Sequence, residues 1–377
     1  MAKIDQLPPE LVMAIMDSIA RLPDTAVYSD KERQRDLASF ALVNKQFSAA
    51  ATRLLYAGKA TLRNAGRSHL FARTLEQRLD LAQSLQTLDC TSTQDSCFPN
   101  HLNRVLKLPD VRLTSLAIGE SYFTHGPASI QALELLLDKP MRSFTWIGSF
   151  RWFYEVKLWR LLTAWHKLKH LALELASAVD RALDARIDKT RPKPLYKLTS
   201  FRIQCHEWCL RAGYVEWYLG HSAGTIERLS LSILSSWQIG VRPFDERDLP
   251  RLAPYLESCT HLSLKLDWCS FDVLDQLLAS TPRLLSFRFE YTSSSEESDI
   301  GKLQSLPSQL HSIELVGRRL FQRVGLLDAL ENGWAPPSLS RVTILGHFDS
   351  DAPAREAKWI CQAARVHCVV KPIFATR

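Results

Sequence analysis

The chain has 377 residues, 46% of them hydrophobic, with 47 Lys and Arg against 40 Asp and Glu, a net charge of +7 and a pI of about 9.0. The basic excess is spread along the chain rather than gathered in a tract with interleaved aromatics, which argues against a nucleic-acid groove and for a solvated surface open to acidic protein partners. The longest early apolar run, residues 11–16, is far too short for a membrane span and no secretory signal is evident, so the eight scattered cysteines point to reduced thiols in cytoplasm or nucleus rather than to a disulfide framework.

In chain order, Leu7 and Pro8 open the first predicted helix, with proline suited to a first turn whose amides lack partners. Leu11, Ile15, Ile19 and Leu22 recur at helical spacing as one apolar stripe, widened by Val12 and Met16. A polar interval follows, with an insertion near residues 23–35. Asp36 is then placed to cap a second helix over 37–43, and Asn44 to cap a third running through Phe47 to Tyr56. Three short helices in residues 1–57 form a small core that needs support from a neighbour or partner. Residues 58–84 read as a capping and linking segment, a short extended piece at 60–62 followed by a helix through Leu70, Phe71, Leu75, Leu79 and Leu81.

From residue 85 one pattern recurs. It is clearest at Leu168, Leu171, Leu173 and Leu175, where an L-x-x-L-x-L spacing passes into the strict alternation of a strand with one buried face. Copies begin at Leu85, Leu113, Met141, Leu168, Leu198, Ile226, Cys259, Leu284, Leu310 and Leu339, at intervals of 28, 28, 27, 30, 28, 33, 25, 26 and 29 residues. Apolar segments at helical spacing lie between several of them, as at 130–137, 159–168, 214–219, 252–256, 271–278 and 320–330. Alternating strand and helix at constant period predicts an α/β solenoid over residues 85–377, about ten repeats used as one continuous body. Cys90, Cys205 and Cys259 fall on inward strand positions, where a thiol acts as a small apolar group.

Two resemblances follow from these residues. The repeat region is similar to the leucine-rich repeat family with long, helix-containing repeats, here degenerate and fungal-like. That likeness implies a horseshoe with a parallel sheet on its concave face and helices on its convex face. The N-terminal segment, with Leu7-Pro8, the amphipathic helix and the Val43 and Phe47 element, resembles an F-box. Phe47 stands where that family usually has Trp, and the interval before the second helix is longer than the common form. The F-box likeness implies binding to a Skp-family adaptor and through it to a cullin–RING ubiquitin ligase. By position, Leu7, Pro8, Leu11, Val12, Ile15, Leu37, Val43 and Phe47 would make that contact. The implied role is a non-enzymatic substrate-recognition subunit of an SCF ligase, needing no metal or cofactor and no nucleic acid or membrane. The alternative is a repeat scaffold whose helical N-terminus only caps the first repeat.

On the repeats, the letters between the apolar ones face a target. Those singled out for substrate binding are His170, Glu174, Arg202, Gln204, Lys265, Arg288 and Glu290; the column carries more charge from Arg202 to Arg288 than before it. Four other features bear residues with chemical potential. Gly220, Ser222 and Gly224 match G-x-S-x-G, which makes a serine hydrolase at Ser222 a remote alternative. The nucleophile elbow, however, needs a strand before the serine and a helix after it. Here the order is reversed, and a glycine-rich helix-to-strand turn is expected. Cys205, His206 and Cys209 supply at most three of the four ligands of a closed zinc site. The serine- and acid-rich loop 293–299 suits either a solvated connection or an acid-directed kinase. Finally, Trp146, Trp152, Phe153, Trp159 and Trp165 crowd one repeat, mostly as core, with Trp152 or Phe153 the candidate exposed anchor.

Overall fold

The computed structural model describes residues 7–20, 30–62, 65–91, 97–109, 111–119, 126–148, 158–175, 192–205, 212–233, 249–266, 271–291, 306–317, 330, 336–346 and 351–372. Leu22, Trp152, Phe153, His206, Cys209, the loop 293–299 and nearly all of the expected segment 320–330 lie outside them. The chain divides into two compact units, Met1–Ile147 and Gly148–Arg377. The division falls inside the expected repeat region rather than at residue 57 or 84.

The first unit begins with helices α1 (Pro9–Ala20), α2 (Asp30–Phe40) and α3 (Lys45–Ala57), which pack on one another. Asn44 caps α3 as expected: its Oδ1 accepts the Phe47 N–H at 2.9 Å, satisfying an amide that the helix itself cannot. Helix α2 differs from the expectation. It starts at Asp30, so Asp36 lies inside it, and Leu42 and Val43 fall in the turn after it.

Strands β1 (Lys59–Thr61), β2 (Thr87–Cys90), β3 (Ser115–Gly119) and β4 (Ser143–Gly148) follow, interleaved with α4 (Ala65–Gln77), α5 (Leu79–Ser84), α6 (Phe98–Leu106) and α7 (Pro127–Leu136). The strands pair in parallel and in chain order, with register partners 28 residues apart. Strand β1 is therefore a full rung where a linking segment was expected, and α3 packs against both β1 and α5. Asn103 on α6 is buried and donates to the Ala128 carbonyl of α7 at 2.9 Å, so the helices are keyed to each other as the strands are.

An ion pair ties β1 to β2. Burial pushes the Asp89 carboxyl up, but Lys59 Nζ at 2.8 Å and the Thr91 N–H and hydroxyl hold it below the usual carboxylate range. A depressed carboxylate adds stability that is present above its unfolded pKa, near 4, and lost as pH falls through the folded value. Asp89→Asn is therefore expected to lower stability at neutral pH and to make it less sensitive to acid below about pH 4; chemical denaturation at a series of pH values checks this.

The second unit carries β5 (His170–Leu175), β6 (Ser200–Cys205), β7 (Arg228–Ile233), β8 (His261–Leu266), β9 (Ser286–Tyr291), β10 (Ser312–Val316), β11 (Arg341–Gly346) and β12 (His367–Pro372). All neighbours are parallel and in chain order, with register partners 25 to 33 residues apart. Helices α8 (Leu158–Ala164), α9 (Ala212–Leu219), α10 (Leu249–Leu256), α11 (Phe271–Ala279) and α12 (Asp351–Ala363) fall between them or before them. A parallel pair needs a crossover of a dozen residues or more, and the repeat interval supplies it.

The apolar letters do what their period demands. Leu168, Leu171, Leu173 and Leu175 are all buried, as are their equivalents from Leu85 to Ile344. Phe201 on β6 stacks with Tyr218 on α9 at 6.3 Å, showing the helix seated on the buried side of the strand. Cys90, Cys205 and Cys259 are buried thiols, and burial pushes Cys259 up to about 11. Trp146 and Trp165 are buried too, while Trp159 of the same cluster is only half-buried. At the start of each rung the chain is held by a repeated backbone bond. The amides of Thr199 and Ser200 both donate to the Lys169 carbonyl, and those of Glu227 and Arg228 to that of Thr199. The architecture is thus α/β, with parallel strands and intervening helices in a solenoid-like repeat.

Candidate functional site

Two surfaces and one turn contain the residues that the sequence singles out. The first surface lies on helices α1–α3. Their core is Val12, Met16, Leu37, Phe47, Ala50 and Ala51, with Leu7, Ile19 and Phe40 partly buried against it; Phe40 and Phe47 stack at 5.9 Å. The helix α1 stripe is corrected here. Leu11 and Ile15 do not enter the core but are 52% and 40% exposed, and Val12 and Met16 take the inward positions. Both pairs are four residues apart, so either row fits an apolar stripe; which one turns inward depends on where α2 and α3 lie.

The eight proposed adaptor contacts therefore separate. Val12, Leu37 and Phe47 are buried and shape the module. Leu7 is partly buried, its carbonyl accepting from Gln46 Nε2 at 3.3 Å. Pro8, Leu11, Ile15 and Val43 are exposed. Leu42, which the pattern did not single out, is 88% exposed beside Val43. Its place between two helices, two residues before the capping Asn44, was the available signal. Exposed apolar side chains concentrated on one small module mark an interaction surface.

The second surface is the outward side of β5–β12. Register aligns three rows: one running from His170 through Ser200, Arg228 and His261, one from Ala172 through Arg202, Ser230, Ser263, Arg288 and Glu314, and one from Glu174 through Gln204, Ser232, Lys265 and Glu290. The structure brings three of the proposed substrate residues together, but with one another. Lys265 reaches Glu290 at 2.6 Å, and Arg288 reaches Glu290 at 3.3 Å and Glu314 at 3.1 Å. Two cations and two anions on β8–β10 thus form a closed, neutral chain. Arg202 and Gln204 touch at 3.5 Å on β6, and His170 and Glu174 stand on β5. Arg288 and Glu290 are two positions apart on one strand face, but the Lys265–Glu290 and Arg288–Glu314 pairs join residues 25 and 26 positions apart, which no local pattern reveals.

The turn is Gly220 to Gly224. Ser222 is completely buried, and its Oγ accepts the Leu198 N–H at 2.8 Å. Helix α9 precedes it and β7 follows. Gly220 and Gly224 adopt φ of +55° and +69°, and the Gly224 N–H donates to the Pro254 carbonyl at 3.1 Å. Ser222 is a buried hydrogen-bond acceptor closing the repeat, and the hydrolase alternative has no exposed nucleophile here.

Among the described residues no helix is long and apolar enough to cross a membrane. No protein-family model and no curated protein matches the chain. Among solved structures, the chain is similar to one in a yeast complex of Rad7 and Elc1, at 13% identity, covering 92% of this chain and 94% of that one, with a TM-score of 0.34. A likeness at that level transfers neither fold nor function.

Proposed function

We propose that the chain is a non-catalytic substrate-recognition subunit of an SCF-type ubiquitin ligase. Helices α1–α3 act as an F-box that binds a Skp-family adaptor, and the outward face of the repeats binds a protein target, in the horseshoe arrangement of the leucine-rich repeat family. The observation that carries the reading is the exposed apolar set Pro8, Leu11, Ile15, Leu42 and Val43 on a three-helix module whose own core is already complete. Val12, Leu37 and Phe47 hold that module in shape. Joining adaptor and target through one body raises the effective concentration of target lysines near the conjugating enzyme.

The purified chain is expected to co-elute with a recombinant Skp adaptor. The double variant Leu11→Asp plus Val43→Asp is expected to lose it while keeping its far-ultraviolet circular dichroism, because both side chains are already in solvent. An aromatic- or aliphatic-centred interface loses on the order of 2 kcal/mol or more per central anchor, about a thirtyfold fall in affinity. Undiminished co-elution by a folded double variant would refute the adaptor site.

The packing of α3 on β1 and α5 favours a second reading. In it the helices only cap the first rung of a repeat scaffold, and the repeats bind their partner with no ligase attached. The same double variant separates the two, since a cap has no adaptor to lose and the half-life of the partner in cells is unchanged by the substitutions.

A further inference from the structure

Charge on the outward face of the second unit is uneven. Strands β5–β12 present only three acidic letters there, Glu174, Glu290 and Glu314, and the last two are already held by Lys265 and Arg288. On β6 and β7, Arg202 and Arg228 are exposed and form no ion pair among the described residues. They are diagonal neighbours, since Arg202 stands opposite Ser230 and Arg228 opposite Ser200, and His261 on β8 stands directly opposite Arg228. These two cations stand at diagonal positions within reach of one another, so closely spaced carboxylates of a partner would pair with both. The floor between them is Ser200, Ser230 and Ser263, small hydroxyl side chains that let a second backbone come close and donate hydrogen bonds.

We propose that this window on β6–β8, bounded by Glu174 on one side and the neutral Lys265–Glu290–Arg288–Glu314 chain on the other, docks an acidic, Asp- and Glu-rich segment of a protein. The proposal deepens the reading above, on which it rests for the target being a protein. Strands lie about 4.8 Å apart and an extended peptide advances about 3.3 Å per residue. A segment crossing from β6 to β8 therefore meets Arg202 and Arg228 with carboxylates two or three positions apart, and His261 one or two positions further on. The neutral chain beside the window keeps its own carboxylates from competing for the arginines.

The test uses the full-length chain and a fluorescein-labelled Gly/Ser peptide carrying four Asp or Glu residues at two- and three-residue spacing, read by fluorescence polarisation. Its Asn/Gln counterpart and a phosphoserine version serve as comparison peptides. The carboxylate peptide is expected to bind and the Asn/Gln peptide not. Binding is expected to weaken at least about tenfold in Arg202→Glu plus Arg228→Glu, and to fall as salt rises from about 0.05 to 0.5 M. The double reversal Lys107→Glu plus Arg112→Glu on the first unit removes as much net positive charge and is expected to leave binding unchanged. Four results would each overturn the proposal: no binding of the carboxylate peptide, equal binding of the neutral peptide, an equal loss with the Lys107 and Arg112 reversals, or binding of the phosphoserine peptide alone. Adaptor co-elution measured on the same preparations keeps the two failures apart. Peptide binding without adaptor rejects the ligase reading only, and adaptor without peptide rejects the docking surface only.

Discussion

Phe47→Asp is expected to unfold helices α1–α3, in contrast to the surface substitution at Leu11. Phe47 belongs to a core of six buried side chains and stacks on Phe40. Removing the ring leaves a cavity costing roughly 3–5 kcal/mol, and the carboxylate must then be buried without a partner or pulled out with its helix. A module of some 50 residues has little more stability than that to lose. The expected readout is loss of helical circular dichroism for about three helices and rapid proteolysis before residue 60, with adaptor binding gone. Leu11→Asp alone is expected to change stability by no more than about 0.5 kcal/mol while still weakening the adaptor. A Phe47→Asp chain that keeps its protected N-terminus would mean that the core described here is wrong.

The second large effect is expected at Gly220. A Cβ there would lie 2.5 Å from the Pro194 carbonyl oxygen and 3.2 Å from the Tyr196 ring, at a φ of +55°. The left-handed backbone costs about 1–2 kcal/mol for a residue with a side chain, and the overlap is with backbone, which cannot swing aside. The same site is knitted by three further bonds: Tyr255 Oη to the Gly220 carbonyl at 3.3 Å, Tyr196 Oη to the Tyr218 carbonyl at 2.7 Å, and Thr225 Oγ1 to the Leu198 carbonyl at 2.8 Å. Gly220→Ala is expected to destabilise the second unit by about 3 kcal/mol or more. Gly224 provides the control. Its φ is +69°, but a Cβ there meets nothing within 4 Å, so Gly224→Ala is expected to cost only about 1 kcal/mol. Equal losses at the two glycines, measured by denaturant titration, would remove the role assigned to the close approach of Pro194 and Tyr196 to Gly220.

The turn also explains why a hydrolase pattern appears in this chain. Gly220 is required by its positive φ and the Pro194 backbone beside it, Gly224 is favoured by its positive φ, and the buried serine between them accepts the Leu198 amide. The three fixed letters of G-x-S-x-G are met for packing reasons, with the strand and helix in the wrong order for an elbow.

Ten of the twelve described strands were legible in the sequence, because each apolar letter is repeated at an inward position and the period of two is a local property of the chain. The other two lack the opening apolar letter: β1 was expected only as a short extended piece at 60–62 within a linking segment, and β12 was not expected. Lys59–Thr61 follows Ala57 and Gly58, and His367–Pro372 follows Arg365, which adopts φ 59° at the end of α12. They pair in the sheet because a neighbouring rung offers its unpaired amides and carbonyls, a tertiary cause. The N-cap at Asn44 was legible because capping needs only a side chain three residues from its amide.

What the amino-acid order determined by itself was therefore the strand faces, the helix-bearing intervals and the constant spacing, since hydrophobic burial acts on a period that one segment already contains. What only the tertiary structure decided was the use of the remaining residues. It turned Val12 and Met16 inward and left Leu11 and Ile15 in solvent. It joined Lys265, Arg288, Glu290 and Glu314 into a neutral chain, and it left Arg202 and Arg228 without acidic partners among the described residues. Apart from the local Arg288–Glu290 pair, each of those outcomes depends on distances between residues some 20 or more positions apart. Coulomb and contact energies follow spatial separation, and separation in the chain does not record it.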